Sequence, residues 1–259
     1  MTSADGSSGL PPFAALGALQ FLTRIPIRLR SAPDLQACVP WFPVVGGLLG
    51  VMIGGVAAGL MELVPATVAA AVAVVVGVML TGAFHEDGLA DTVDALGGWS
   101  PEQRREILKD SRHGSYGVAS MISTFLLRVV TLASLGPAVA FAGLVAAHTL
   151  GRGAAVGAMG LAPPVPVDGL GADYTRSLSP VRAVIGVLAS LAIAAVAVGW
   201  WVAPLAAAAT AGAFVVSVIA RRAFDGVGGD VLGAVEQVGE CLVLIVVSGL
   251  AMRHSLWWR

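Results

Sequence analysis

Apolar runs close to 20 residues long recur along this 259-residue chain. They cover roughly residues 41–61, 66–84, 117–135, 138–160, 181–201, 203–220 and 239–252. A helix of about 20 apolar residues crosses the hydrocarbon core of a bilayer, so repeated runs of this length predict a membrane protein. The last run is short, and residues 13–22 are shorter still and predict an interfacial or re-entrant segment. Charge agrees with this pattern. Only 12% of the residues are charged, against about 25% in ordinary soluble domains, which is too few to cover a water-facing surface. Small residues run through the spans, as in "GGLLGVMIGG", and let helices approach closely. Trp41, Trp200, Trp201, Trp257 and Trp258 fall at run edges, as in an interfacial aromatic belt. The expected fold class is all-α: a polytopic integral membrane helical bundle of about six to eight transmembrane helices. Residues 1–12, "MTSADGSSGLPP", lack the basic n-region of a signal peptide and read as a disordered tail. Residues 13–259 read as one integral-membrane domain.

The connections between runs alternate in length. Long polar ones cover 85–116, 161–180 and 221–238, whereas those near 62–65, 136–137 and 202–203 are short. Alternation puts the long ones on one face, with the N-terminal segment. That face carries eleven of the fifteen Lys and Arg residues: Arg24, Arg28, Arg30, Arg104, Arg105, Lys109, Arg112, Arg176, Arg182, Arg221 and Arg222. Arg253 and Arg259 break the pattern. The bias places the long connections in the cytoplasm. Within the first of them, "WSPEQRREILKDSRHG" predicts a short cytoplasmic surface helix, with Ser100 as N-cap, Pro101 in the first turn, Gln103 completing a capping box and Gly114 as the stop. A net charge of −1 gives no basic field for nucleic acid. Cys38 and Cys241 lie far apart and read as buried free thiols.

One stretch, "FHEDGLADTVDALGG" (84–98), interrupts the apolar character with four acids. Asp87, Asp91 and Asp94 recur at i, i+4 and i+7, which places them on one helix face. Like charges so arranged repel one another, and a divalent cation removes the conflict. Oxygen ligands suit Mg²⁺, which keeps waters and substrate phosphates in its shell. A solvated acidic helix end is the plainer alternative. A second polar stretch, "DGVGGDVLGAVEQVGE" (225–240), puts Asp230, Gln237 and Glu240 on one face, with Glu236 off it. Gly229 and Gly233 open that surface to a bulky ligand. Lys109, Arg112 and His113 follow the first acids, and Arg128 and Arg152 lie inside spans. Intramembrane charges face a partner or a polar cavity. Carboxylates holding metal, with cations aimed inward, suit a diphosphate ligand; internal salt bridges are the alternative for the two arginines. His85 is a ligand, a base or an interfacial ring, and His148 reads as a satisfied core residue.

The motifs "FLTRIP" (21–26), "WFPVVGGLLG" (41–50), "HEDGLADTVDALGG" (85–98), "ILKDSRHGSYG" (107–117) and "GGDVLGA…Q…E" (228–240) together resemble the cobalamin synthase family, over about residues 13–250. The resemblance implies a multi-pass enzyme of the cell inner membrane that needs Mg²⁺. It implies a phosphotransferase reaction joining adenosylcobinamide-GDP to α-ribazole, or α-ribazole 5′-phosphate, with release of GMP. The product would be adenosylcobalamin or its 5′-phosphate, made late in cobalamin biosynthesis. The family's acidic motif falls on Glu86, Asp87, Asp91 and Asp94, and its later one on Asp230 and Glu240, as metal ligands. Lys109, Arg112 and Arg128 would meet the charge of the diphosphate and of departing GMP. Gly229, Gly233 and Gln237 would line the corrinoid wall. Asp94 is the candidate base for the ribose hydroxyl, with His85 the other. Gly228 stands where the family commonly has Thr, so a hydroxyl contact is lost there. The expected arrangement is one cytoplasm-facing cavity lined by both acidic motifs. A CDP-alcohol-type phosphotransferase and a cation transporter are the rivals. The acids follow a span and open a long polar loop, whereas transporters set such sites near mid-membrane on broken helices. Homo-oligomerisation is left open.

Overall fold

Helices form where the apolar runs lie. In this computed structural model, residues 11–108, 110, 112–165, 175–176 and 178–258 are described. Two short helices, α1 (Pro11–Leu22) and α2 (Leu35–Cys38), lead through a 3-10 turn (Val39–Trp41) into α3 (Phe42–Met61) and α4 (Ala66–Thr81). Then come α5 (Phe84–Leu96), α6 (Pro101–Ile107), α7 (Ser115–Ala133) and α8 (Pro137–Leu161). The chain ends with α9 (Pro180–Val198), α10 (Val202–Phe224) and α11 (Gly229–Ala251). Residues 1–10 of the expected tail lie outside the described residues, while Pro11 and Pro12 already open α1, where proline suits the first turn. Among the described residues there is no strand, only an isolated bridge between Pro164 and Val227.

Among the described residues, five apolar helical stretches are long enough to cross a bilayer, and α4 with α5 makes a sixth that is bent by 90°. The stretch Pro180–Phe224 is broken at Gly199, whose φ of +61° suits glycine. It becomes two helices of 19 and 23 residues, each long enough to span alone. The chain is therefore a multi-pass membrane bundle. Met79, Ile122, Leu126, Val184, Leu188 and Phe214 are exposed on its outside, an apolar surface that suits lipid.

At the centre lies α8, buried along most of its length. A glycine stripe on α3 lets α8 come close. A Cβ at Gly46 would sit 2.3 Å from His148 O, one at Gly50 2.5 Å from Val145 Cα, and one at Gly54 3.0 Å from Phe141 O. Contacts such as Gly153 with Ser190 and Gly143 with Val247 run α9 and α11 antiparallel to α8. One end of the bundle thus collects the starts of α3, α7, α9 and α11 and the ends of α4, α8 and α10.

Two boundaries differ from expectation. The last helix begins at Gly229 rather than near 239. The expected connection 221–238 is instead the end of α10, a turn at 225–228 and the first turns of α11. Polar side chains lowered the hydropathy of 230–240, but Glu236, Gln237 and Glu240 are paired inside the bundle. The surface helix stops at Ile107, not Gly114. Its start is as expected: Ser100 accepts from Gln103 N, although Gln103 reaches back to Trp99 N and not to Ser100.

Candidate functional site

The acids sit on α5 because α4 cannot continue into it. Gly82 and Ala83 both take left-handed backbone, at φ +68° and +60°. This turns α5 through 90°, so it lies across the end of the bundle. A Cβ on Gly82 would fall 2.1 Å from Arg24 Nε, so glycine also clears that side chain. Across the bundle end, α5 crosses the first turns of α11. A Cβ on Gly88 would lie 2.8 Å from Asp230 O, and one on Gly233 3.1 Å from His85 O. Both glycines serve a tight helix crossing. Gly233 is therefore buried against α5 and does not form the open wall expected of it, whereas Gly229 is exposed.

The crossing brings Asp230 up to the outward face of α5. Burial, followed by the nearby charges of Asp87 and Asp230, pushes the Asp91 carboxyl up to about 6, with His113 acting in the opposite sense. His113 bridges the pair: Nε2 is 3.3 Å from Asp87 Oδ1 and Nδ1 is 3.3 Å from Asp91 Oδ1. Donor atoms of Asp87, Asp91 and His113 all lie within 4.8 Å of one another. Two carboxylates share one imidazole here, with the charge of Asp230 close by, a donor set that fits a divalent cation.

Asp94 is engaged differently. One oxygen accepts from Gly114 N at 2.6 Å and the other from Gly117 N at 2.8 Å. It caps the start of α7, whose own N-cap, Gly114, has no side chain to do so. The same contacts set His113, one residue before Gly114, beside Asp87 and Asp91. Arg112 turns outward to Asp110, with Nε to Oδ1 at 3.0 Å and Nη2 to Oδ2 at 2.7 Å. Those hydrogen bonds hold the Asp110 carboxyl down at about 2. Lys109 lies outside the described residues.

The remaining expected site residues meet elsewhere. Glu86 points from the opposite side of α5 into the bundle. Its Oε1 lies 3.2 Å from Arg128 Nη1 of α7 and accepts from Gln237 Nε2 of α11 at 3.3 Å. Arg128 Nη2 pairs with Glu240 Oε2. Arg152 of α8 contacts Glu240 at 3.0 Å and Glu236 at 2.6 Å, and donates to His148 O at 3.0 Å. His148 pairs with Glu240 as well, and Gln237 donates to Glu236 at 2.9 Å. His85 lies 3.7 Å from Glu236. All eight side chains are buried. They line a small cavity of about 20 Å³, room for about one water.

The single cavity expected from both acidic motifs is thus two layers. Asp87, Asp91 and Asp230 form the outer one. Glu86, Arg128, Gln237 and Glu240 belong to the inner one, with His85. Spacing missed Arg152, His148 and Glu236 as members. Glu236 was placed off the acidic face, yet it is wholly buried and paired. The signal that finds them is charge inside apolar spans: two arginines there require acids at similar depth.

A family model described as cobalamin-5-phosphate synthase matches residues 14–248. A protein of Azorhizobium caulinodans named adenosylcobinamide-GDP ribazoletransferase is 36% identical, over 92% of this chain and 96% of its own length. Proteins of the same name from Rhizobium etli and Bradyrhizobium diazoefficiens are 38% and 36% identical, over 89% and 91% of this chain and 94% and 93% of their own. No solved structure matches.

Proposed function

Since the chain belongs to the cobalamin-5-phosphate synthase family, we propose that it is an Mg²⁺-dependent adenosylcobinamide-GDP ribazoletransferase, and that Asp87, Asp91 and Asp230 hold the metal. The observation that carries this reading is the convergence of those three carboxylates where α5 crosses α11. When bound there, the ion would offset the charge of a substrate diphosphate and of the departing phosphate.

In the reaction, the ribose 3′-hydroxyl of α-ribazole, or of its 5′-phosphate, attacks the phosphorus next to the corrinoid's aminopropanol. A new P–O bond forms, the bond between the two phosphoryl groups breaks, and GMP leaves. The hydroxyl proton needs an acceptor at the outer layer. His113 is partly open to solvent and touches both Asp87 and Asp91, so it is placed for that role. His85 is buried in the inner layer, and both oxygens of Asp94 are taken by backbone amides. Exposed Gly229, at the start of α11, leaves the corrinoid room beside Asp230. Arg112, exposed on the loop before α7, can exchange Asp110 for a phosphate oxygen.

The test is GMP release from adenosylcobinamide-GDP by purified protein. Release should require both α-ribazole (or its 5′-phosphate) and Mg²⁺. Release unchanged by a chelator would remove the metal from the mechanism. We also place the chain in the inner membrane, with the acid face toward the cytoplasm, as the Lys and Arg distribution supports. A cysteine at position 103, in a Cys38→Ser, Cys241→Ser background, should resist an impermeant thiol reagent added to the periplasm. Labelling from that side reverses the topology.

A further inference from the structure

Buried charge in a lipid-bounded bundle must be paired, because an isolated ion there is far from any solvation. Arg128 meets this demand in a particular way. Its two terminal nitrogens serve carboxylates on two different helices: Nη1 faces Glu86 of α5 at 3.2 Å, and Nη2 faces Glu240 of α11. These two helices also carry the outer carboxylates. Glu86 immediately precedes Asp87, and Glu240 lies farther along the helix that begins with Asp230.

The glycine crossing at Gly88 and Gly233 selects the face of α5 that meets α11, but it makes no directional bond to hold that rotation closely. Successive residues of a helix point about 100° apart. With Glu86 held inward, Asp87 and Asp91 must face outward toward Asp230 and His113. Even a small turn of α5 on its axis would swing Asp91 relative to Asp230. The directional restraints on α5 at this level are Glu86, through Arg128 and Gln237, and the adjacent His85, which faces Glu236 and Arg152 more distantly.

We propose that Arg128 is a positioning residue: by bridging Glu86 and Glu240 it sets the rotation of α5 on α11, and so keeps Asp87, Asp91 and Asp230 in register for a divalent cation. This inference rests on the metal site proposed above. It gives Arg128 a partner set inside the bundle in place of a substrate phosphate. A planar guanidinium can serve two carboxylates at once, whereas the ammonium of lysine is a single compact charge.

The test uses the purified full chain, Mn²⁺ alone as probe, and the variants Arg128→Lys and Glu86→Gln. Glu86→Gln guards against a misfolded lysine variant, because Arg128 keeps Glu240 as its counter-ion. Loss of an outer support of a metal ligand lowers affinity by about 10- to 100-fold. Electron paramagnetic resonance titration should show a loss of that size in both variants. Turnover at saturating metal should return close to wild type. Amide exchange should quicken in α5 and in the first turns of α11, and stay unchanged in α8 and α9. Wild-type Mn²⁺ affinity with wild-type exchange in a folded variant overturns the proposal. So does a fall in kcat with metal affinity intact, because Arg128 would then act on substrate. If wild-type protein and Asp87→Asn bind Mn²⁺ equally, the metal site is wrong. The exchange data then still decide whether Arg128 holds α5.

Discussion

Two acid-rich layers lie on opposite sides of one short helix, and their neighbours differ. On the outer side of α5, Asp87 and Asp91 face one imidazole with Asp230 nearby, and mutual repulsion helps to raise Asp91. On the inner side, Glu86, Glu236 and Glu240 face Arg128 and Arg152, with amide and imidazole groups filling in. The first group is short of positive charge and partly open to solvent, an arrangement that suits a cation. The second is closed and largely matched, which is how a structural lock looks. Adjacent residues of a single motif, Glu86 and Asp87, fall on different sides of this divide. Motif membership alone therefore does not assign a role; the charges opposite each carboxylate do.

The comparison breaks hardest in the inner layer. Glu240→Ala strips a counter-ion from Arg128 and Arg152 and a polar partner from His148. Removing one partner of a buried pair costs about 3–5 kcal/mol, a large part of a total stability of about 5–15 kcal/mol. Little folded protein should survive detergent extraction and size-exclusion chromatography. The double variant Arg128→Met, Glu240→Leu should recover much of it, since matched apolar replacement of a buried pair is often neutral. A stable, monodisperse Glu240→Ala protein would mean that the inner layer is not a lock.

In the outer layer the effect should fall on turnover and not on folding. Asp91→Asn removes one of three crowded negative charges, so the metal-free variant should melt no lower than wild type. Losing one preorganised electrostatic group costs about 100- to 1,000-fold in kcat, and GMP release should drop by at least that much. Mn²⁺ binding should drop with it. Wild-type turnover in folded Asp91→Asn would leave the outer layer without a function.

This division explains what was legible in the sequence. The spans were, because hydropathy reports them directly: 66–84 became Ala66–Thr81, and 138–160 became Pro137–Leu161. The start of α11 was not, because Asp230, Glu236, Gln237 and Glu240 dilute an apolar window although three of the four are buried. The i, i+4 pair Asp87 and Asp91 was legible as a shared face. Its partner His113 was visible only as one of several cations in "KDSRHGSYG". That it reaches both acids depends on α7 being capped by Asp94, a contact across twenty residues. The two-layer split was hidden for a similar reason. Angle around α5 separates Glu86 from Asp87, whereas Asp230 and Glu240 share a face of α11 and are separated by distance along it, which the crossing of Gly88 on Gly233 sets.

Asp94 sharpens the comparison with a smaller effect, because it belongs to neither layer. It shares the acidic motif and the face of Asp87 and Asp91, yet its two oxygens are occupied by the amides of Gly114 and Gly117. A Cβ on Gly117 would fall 2.3 Å from Asp94 Oδ2, so the site admits the carboxylate only because glycine is there. Removing a capping side chain costs about 0.5–2 kcal/mol. Asp94→Ala should lower thermal stability by that amount and loosen His113, giving a loss of turnover milder than that of Asp91→Asn. Asp94→Asn keeps one acceptor oxygen and should lie between wild type and the alanine variant in both measures. Mn²⁺ affinity should change less in either variant than in Asp91→Asn. If Asp94→Asn instead abolishes Mn²⁺ binding while leaving stability untouched, Asp94 is a metal ligand, and the start of α7 is held by something else.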